Sequence, residues 1–321
     1  MMTSSSTVDG SIRRGDWQWT ACAASVTGEE HQRRGLGCDD AYSYGLEEGF
    51  IVAAVADGAG SVTGTSAWGA HIACRAIVDH AMLPDFIRDF RTGDFDGQVQ
   101  MRWLFERALE RVKAHAQVSR MDPVLLSTTL CVAVADRDRA VFGQIGDGVV
   151  AVESVAGDNR DIATLLIEDK DEYANSTWFL QSERAFEESF RTATLDGVDA
   201  FALSTDGMTY KITDVATGQA YEPFFRGSWD HVRSGVSAGH FAALLRGIED
   251  DQTGDDKTMV LAALRFCDDE YFPSSRPVVR TLVTSPAPAA QAAPPLATSA
   301  APPAAGNSGR LRRLLGGRGR S

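Results

Sequence analysis

The chain has 321 residues, 44% hydrophobic and 23% charged, so it can bury a sizeable core. Its formal charge of −13 argues against a surface built to hold nucleic acid or to coat an anionic membrane. Five scattered cysteines without a CxxC spacing argue against a zinc–thiolate cage or a disulfide framework. We find no secretory segment and no apolar run of about 18 residues, so a cytoplasmic location is expected.

Proline usage divides the chain. Eight of the 11 prolines lie at or after Pro273, in a segment without amphipathic period that cannot repay the entropy of ordering. We therefore predict a disordered N-terminus over residues 1–15, a folded domain over 16–271 and a disordered linker over 272–321. Residues 309–321 hold five arginines and no acid, which suits a solvated tail or one that binds an acidic partner or a membrane surface.

Apolar patterns between the two tails predict strands and helices in chain order. Residues 50–56 form a continuous apolar run, which is typical of a strand covered on both faces. Apolar residues at helical spacing then predict three helices, over residues 70–81, 101–112 and 241–248.

Further apolar runs predict five more strands, at residues 129–135, 140–145, 149–152, 198–204 and 259–264. The first three of these follow one another through links of four and three residues, which are too short for a crossover helix. They are therefore predicted to be antiparallel. Antiparallel strands with a few long helices outside them indicate an α+β fold and not a doubly wound parallel sheet.

The most specific feature of the sequence is an apolar strand that ends in Asp-Gly, which occurs three times. The acids are Asp57, Asp147 and Asp206, and the acidic pairs 39–40 and 255–256 precede other predicted strands. A strand end is a rigid mount, and the following glycine lets the backbone turn so that its carbonyl faces the same point as the carboxylate. A single Asp-Gly is best explained as a turn dipeptide. Three copies together with two acidic pairs favour one shared site.

A shared site of this kind requires cations, because gathered carboxylates repel one another strongly. Oxygen donors without thiolates and almost without imidazoles select hard ions, hence Mn²⁺ or Mg²⁺. Two such ions roughly 3.5–4 Å apart polarise a phosphoryl oxygen and hold a hydroxide in line for attack. The glycine-rich stretch 58–64 also resembles a dinucleotide-binding fingerprint. Asp57 beside it would repel a pyrophosphate, however, and no strand that ends in an acid, the usual ribose ligand, follows about 20 residues later.

The motifs occur in a defined order. They are Asp-Asp-Ala at 39–41, Val-Ala-Asp-Gly-Ala-Gly-Ser at 55–61, Ser-Thr-Thr-Leu at 127–130, Ile-Gly-Asp-Gly at 145–148, Leu-Ser-Thr-Asp-Gly at 203–207 and Asp-Asp-Lys-Thr at 255–258. This series, over about residues 17–266, resembles the metal-dependent protein phosphatases of the 2C type, in particular a bacterial branch. The resemblance implies an α+β sandwich of two antiparallel β-sheets flanked by α-helices on both outer faces.

The resemblance also implies a role for each matching residue. Asp57 and Asp206 would be catalytic. The ion ligands would be Asp40, Asp57, Gly58, Asp206 and Asp255, with Asp39 as a further candidate and Asp147 for a third, weaker ion. The family's phosphate-binding arginine has no match in spacing, so the candidates are Arg33, Arg34 and His31. Ala59 stands where many members carry a histidine that protonates the leaving group, which leaves the general acid open.

As function, the resemblance implies a metal-dependent protein serine/threonine phosphatase that hydrolyses phosphomonoesters by in-line attack of a metal-bound hydroxide. It would use two Mn²⁺ or Mg²⁺ ions, with a third in many members. Its substrate would be a phosphorylated protein made by a Ser/Thr kinase in signal transduction, and the enzyme would act as a monomer without nucleic acid. Two alternatives stay open. One is a catalytically weak phosphoprotein-binding module of the same fold, motivated by Ala59, and the other is a small-molecule phosphatase.

Overall fold

The computed structural model describes residues 16–59, 64–93, 96–156, 159–167, 177–214, 216–249, 253–267 and 278–281. These residues belong to one compact unit. The predicted disordered N-terminus, and all of the predicted linker except residues 278–281, lie outside the described residues. No helix in the described part of the chain is both long enough and apolar enough to cross a bilayer.

The strands within the described ranges form two sheets. One has five strands, in the order β1 (Asp16–Val26), β10 (Lys257–Cys267), β9 (Val198–Ser204), β6 (Val149–Ala156) and β7 (Asn159–Leu165). The other has six, in the order β11 (Val278–Thr281), β2 (Ala41–Glu47), β3 (Phe50–Ala56), β4 (Leu130–Ala135), β5 (Arg139–Ile145) and β8 (Arg191–Asp196). Neighbouring strands are antiparallel throughout, which confirms the predicted α+β class.

Helices cover the outer face of each sheet. On the six-stranded sheet lie α2 (Ser66–Ala81), α3 (Pro84–Thr92) and α4 (Gly97–Ser119), and on the five-stranded sheet lie α7 (Glu222–Arg233) and α8 (Ala238–Gly247). Shorter turns of helix are α1 (Glu29–Arg33), α5 (Ala185–Glu188), α6 (Thr209–Ile212) and the 3₁₀ turns Pro123–Leu126 and Asp206–Met208. The three helices predicted from the sequence are confirmed as α2, α4 and α8.

Apolar cores separate these layers, and strand β3 shows how. Val52 and Ala54 belong to the core beneath α2, α3 and α4, whereas Ile51 and Ala53 belong to the core between the sheets. Because alternate residues of a strand point to opposite faces and both faces are covered, all of β3 is buried. The prediction for residues 50–56 is confirmed. A further core, which includes Trp229, lies between the five-stranded sheet and α7 and α8.

One prediction about the strands is wrong. Strands β4 and β5 pair as predicted, but β6 joins the other sheet, between β9 and β7. The link 146–148 therefore carries the chain across the sandwich, and Gly146 adopts a φ of +97° there, which favours glycine. The linker predicted to begin at residue 272 contains β11, which pairs with β2. Its Val-Val-Arg-Thr sequence is rich in β-branched residues, and the surrounding prolines concealed it.

Candidate active site

Strand register brings the predicted acids to one end of the sandwich. Strands β2 and β3 pair so that Asp40, just before β2, lies beside Asp57, just after β3. Strands β9 and β10 pair so that Asp206, shortly after β9, and Asp255, shortly before β10, come to the same end of the five-stranded sheet. A hydrogen bond joins the two sheets at this end, because the Thr205 hydroxyl donates to Asp40 Oδ2 at 2.7 Å. The four acids therefore meet although 215 residues separate the first from the last.

These acids repel one another. Removal from water raises the pKa of Asp57 well above its usual range, and the charges of Asp40, Asp206 and Asp255 raise it further. Removal from water also raises the pKa of Asp40, and Asp256 is the strongest charge that adds to this effect. Asp40 is fully buried, whereas Asp57, Asp206 and Asp255 are half-buried. Solvent can therefore reach the last three acids but not Asp40.

The donor set fits a hard divalent ion by its chemistry. It consists of carboxylate oxygens, which Mg²⁺ and Mn²⁺ prefer, and a cation would relieve the repulsion that raises the pKa of Asp57. Within the described residues, however, no three His, Cys, Asp or Glu side chains are arranged as ready ligands around one point. The turn after Asp57 is tight, since a Cβ on Gly58 would lie 2.8 Å from the Asp39 carbonyl oxygen. Only glycine fits there.

Hydrogen bonds hold the Asp57 turn in place. The Thr129 N–H and the Thr128 hydroxyl both donate to the Asp57 carbonyl at 2.8 Å. The Asp57 N–H donates to the Thr129 hydroxyl at 3.0 Å. The Ala59 N–H donates to the Ser127 carbonyl, also at 3.0 Å. Residues 127–129 therefore fix the direction in which the Asp57 carboxylate leaves the strand end.

Two predicted site residues, His31 and Asp39, have structural partners. The Asp39 carboxylate accepts a hydrogen bond from the Ser66 hydroxyl at 2.9 Å, which ties it to the start of α2. His31 is only 7% exposed, and its Nδ1 lies 2.8 Å from Asp256 Oδ2. A buried ring held by a carboxylate is poorly placed to meet a phosphate from solvent. The predicted phosphate contact of His31 and the predicted ion contact of Asp39 stay predictions.

Three other candidates have contacts of their own. Asp147, predicted for a third ion, follows β5 and accepts a hydrogen bond from the Thr177 hydroxyl at 2.8 Å. The Arg33 guanidinium pairs with two glutamates of α1, each at 3.1 Å, on an exposed face. Arg34 is exposed at the end of the same helix. A phosphate contact by either arginine stays a prediction.

The motifs assign no role to Asp256, the second acid of the pair 255–256, although it joins several segments of the site. Its Oδ1 accepts the Gly28 N–H at 2.7 Å, and its Oδ2 accepts the Asp39 N–H at 2.6 Å besides contacting His31. The residue is 2% exposed. The sequence offers one signal for this role, namely an acid directly beside the predicted ligand Asp255. An acid in that place is costly to bury unless hydrogen-bond donors surround it.

Comparison with known proteins assigns the family. The sequence profile of the family described as Protein phosphatase 2C matches residues 27–246, which is more than half of the chain. The chain therefore belongs to the protein phosphatase 2C family. This confirms the resemblance inferred from the order of the acidic motifs.

Solved structures share the fold. A bacterial serine phosphatase superposes with a TM-score of 0.52 at 14% sequence identity, over 78% of this chain and 99% of that chain. Serine-threonine phosphatase 2C from Toxoplasma gondii superposes with a TM-score of 0.50 at 11% identity, over 77% of this chain and 95% of that chain. At these identities the likeness concerns the fold, and it confirms the predicted sandwich. No curated protein sequence matched the chain.

Proposed function

We propose that this chain is a metal-dependent phosphatase that releases phosphate from phosphoserine and phosphothreonine in proteins. One observation carries the proposal: Asp40, Asp57, Asp206 and Asp255 crowd together at one end of the sandwich in a chain of the 2C family. Gathering like charges away from water costs free energy, so cations are expected to complete the group. The substrate would be a protein phosphorylated by a Ser/Thr kinase, which places the enzyme in signalling.

Each acid has a proposed role. Asp57 would contact two Mn²⁺ or Mg²⁺ ions, with Asp206 and Asp255 on one and Asp40 on the other, and the Gly58 carbonyl would complete one of them. Asp147 would serve a third, weaker ion. When bound, such ions neutralise charge on the phosphoryl oxygens and activate water.

The chain itself supplies rigidity. Hydrogen bonds from residues 127–129 fix the Asp57 turn, and a hydrogen bond from the Thr205 hydroxyl fixes Asp40. Preset ligands need no rearrangement when charge develops on the phosphoryl group. Position 59 supplies no proton, because Ala59 is exposed but carries only a methyl group. Turnover should therefore be faster on aryl phosphates, whose leaving groups need little protonation, than on alkyl phosphates.

The test measures phosphate release from phosphoserine and phosphothreonine peptides by the purified full chain. We expect turnover with Mn²⁺ or Mg²⁺ and none in EDTA. Asp206→Asn should lower kcat/KM by at least about 1000-fold, because it removes a proposed ligand. Asp85→Asn is the matched control, since that carboxylate lies on α3 with 83% of its side chain exposed.

Other outcomes would point elsewhere. Phosphopeptide binding without turnover in millimolar Mn²⁺ would support a phosphoprotein-binding module. Turnover of small phosphoesters alone would support a small-molecule phosphatase. Full activity of Asp206→Asn would contradict the proposed role of the acids.

A further inference from the structure

We propose that His31 and Asp256 are positioning residues. They form an imidazole–carboxylate pair, closed off from solvent, that holds the Asp57 turn and the Asp39–Asp40 segment in place from the opposite sheet. The inference rests on the proposed function, because it concerns acids to which that function assigns ion binding. This role differs from the phosphate contact that the sequence predicts for His31.

The Asp256 carboxylate is the centre of the pair. It lies directly before β10 in the five-stranded sheet, and both of its oxygens accept hydrogen bonds. Oδ1 accepts the Gly28 N–H at 2.7 Å, and Oδ2 accepts the Asp39 N–H at 2.6 Å. An ionised carboxylate only accepts, so the His31 Nδ1 that lies 2.8 Å from Oδ2 carries the proton and donates it. Three donors therefore converge on one acid.

The backbone of Asp39 connects Asp256 with the Asp57 turn. Its N–H donates to Asp256, and its carbonyl accepts the Gly58 N–H at 3.2 Å. Gly58 directly follows Asp57. Two consecutive hydrogen bonds thus connect the Asp256 carboxylate in one sheet with the end of β3 in the other.

The same pair also fixes the position of the segment that carries Asp255. A Cβ on Gly28 would lie 2.2 Å from the Asp255 carbonyl carbon, so the entrance to α1 packs directly on that backbone. His31 extends from α1 and binds the next residue, Asp256. The position of α1 and the position of the Asp255 loop therefore depend on each other.

A positioning role and a merely structural role predict different measurements. Groups that orient ion ligands typically change metal affinity by about 10–100-fold when they are lost. A purely structural pair would change the free energy of unfolding and leave the ion affinity of the folded chain unchanged. Mn²⁺ affinity is therefore the measurement that decides.

The experiment compares two amide variants of His31 in the full chain by isothermal titration calorimetry with Mn²⁺. The side-chain nitrogen of asparagine occupies nearly the place of Nδ1, whereas that of glutamine occupies nearly the place of Nε2. His31→Gln should weaken Mn²⁺ binding by about 10–100-fold, and His31→Asn should stay within about threefold of wild type. His240→Ala removes an exposed imidazole on α8 and should change nothing.

Asp256→Asn provides the same comparison should His31→Gln fail to fold, as judged by circular dichroism. Its amide sets an NH₂ group against either the Gly28 N–H or the Asp39 N–H, so one of these donors loses its acceptor and the same loss of affinity is expected. Wild-type affinity in His31→Gln or in folded Asp256→Asn overturns the positioning role, and so does an equal loss in both His31 variants. A wild-type chain that binds no Mn²⁺ overturns the proposed function itself. If the wild-type chain binds Mn²⁺ and turns over substrate, and the variants bind Mn²⁺ equally well, only the positioning role is overturned.

Discussion

Two acidic side chains of this molecule, Glu153 and Asp57, have opposite surroundings. Glu153 lies in β6 with 1% of its side chain exposed, and its Oε2 pairs with Arg160 at 3.1 Å and with Arg233. Asp57 lies just after β3, where removal from water raises its pKa and the charges of other acids raise it further. The chain neutralises the first acid with its own cations. It gathers further negative charge around the second.

The difference separates a structural acid from a functional one. A buried ion pair that is complete within the chain costs desolvation but leaves nothing for a ligand to satisfy. Crowded acids that titrate abnormally destabilise the metal-free fold, and such groups concentrate at functional sites. The comparison therefore predicts that loss of Glu153 harms folding and that loss of Asp57 harms catalysis.

The largest expected effect is on turnover. Asp57→Asn should lower kcat/KM for phosphopeptides at saturating Mn²⁺ by at least about 1000-fold, because it removes the carboxylate proposed to contact both ions. Glu153→Gln, assayed well below its Tm, should stay within about twofold of wild type, since Glu153 pairs with Arg160 and Arg233 and is not among the proposed ion ligands. Equal losses in the two variants would break the comparison.

The next effect is on stability. Glu153→Gln should lower the free energy of unfolding by about 2–4 kcal/mol in urea titrations, because Arg233 loses its buried partner. Glu222→Gln is the control, since it disrupts an exposed pair with Arg226 on α7 and should cost no more than about 0.5 kcal/mol. Similar costs for the two variants would show that the Glu153 pair is unimportant.

The pH dependence of the metal-free fold tests the acidic group. Because the pKa values of Asp40 and Asp57 are raised in the folded state, their contribution to stability is full while they are protonated. It is lost as pH rises from about 4 through the raised values. In EDTA at pH 8, Asp57→Asn should exceed wild type by roughly 1–2 kcal/mol in the free energy of unfolding. The gap should close at low pH, and a gap independent of pH would contradict this cause.

The smallest effect concerns the contact between the sheets at Thr205. Its hydroxyl donates to Asp40 Oδ2 at 2.7 Å and accepts the Thr258 N–H at 3.1 Å. Thr205→Val keeps the shape but should cost about 1 kcal/mol in urea unfolding and weaken Mn²⁺ binding severalfold. Thr205→Ser retains the hydroxyl and should match wild type. Identical behaviour of the two variants would rule out the hydrogen bond as the cause.

Local burial made much of the fold predictable. Residues 50–56 and the helical stripe at 70–81 follow from which faces must be covered, and the acids of the site recur at strand ends. The sheet that β6 joins was not predictable, because a three-residue link allows either a hairpin or a step across the sandwich. Periodicity gives no information about which strands become neighbours.

The contacts that support the site were equally hidden. Asp256 and His31 are 225 residues apart, and Thr205 reaches Asp40 across 165 residues. Neither partner shows a local pattern that points to the other. The acids proposed to bind ions could be found from motifs, whereas the groups that hold them required the tertiary structure.

Strand β11 has a practical consequence for shortening this protein. Residues 278–281 pair with residues 43–46 of β2 and cover the outer side of that strand. A chain ended at residue 271, as its proline content invites, would uncover a row of β2 amide and carbonyl groups, a template on which copies can stack and precipitate. Truncated versions meant for crystallisation should therefore end after Thr281.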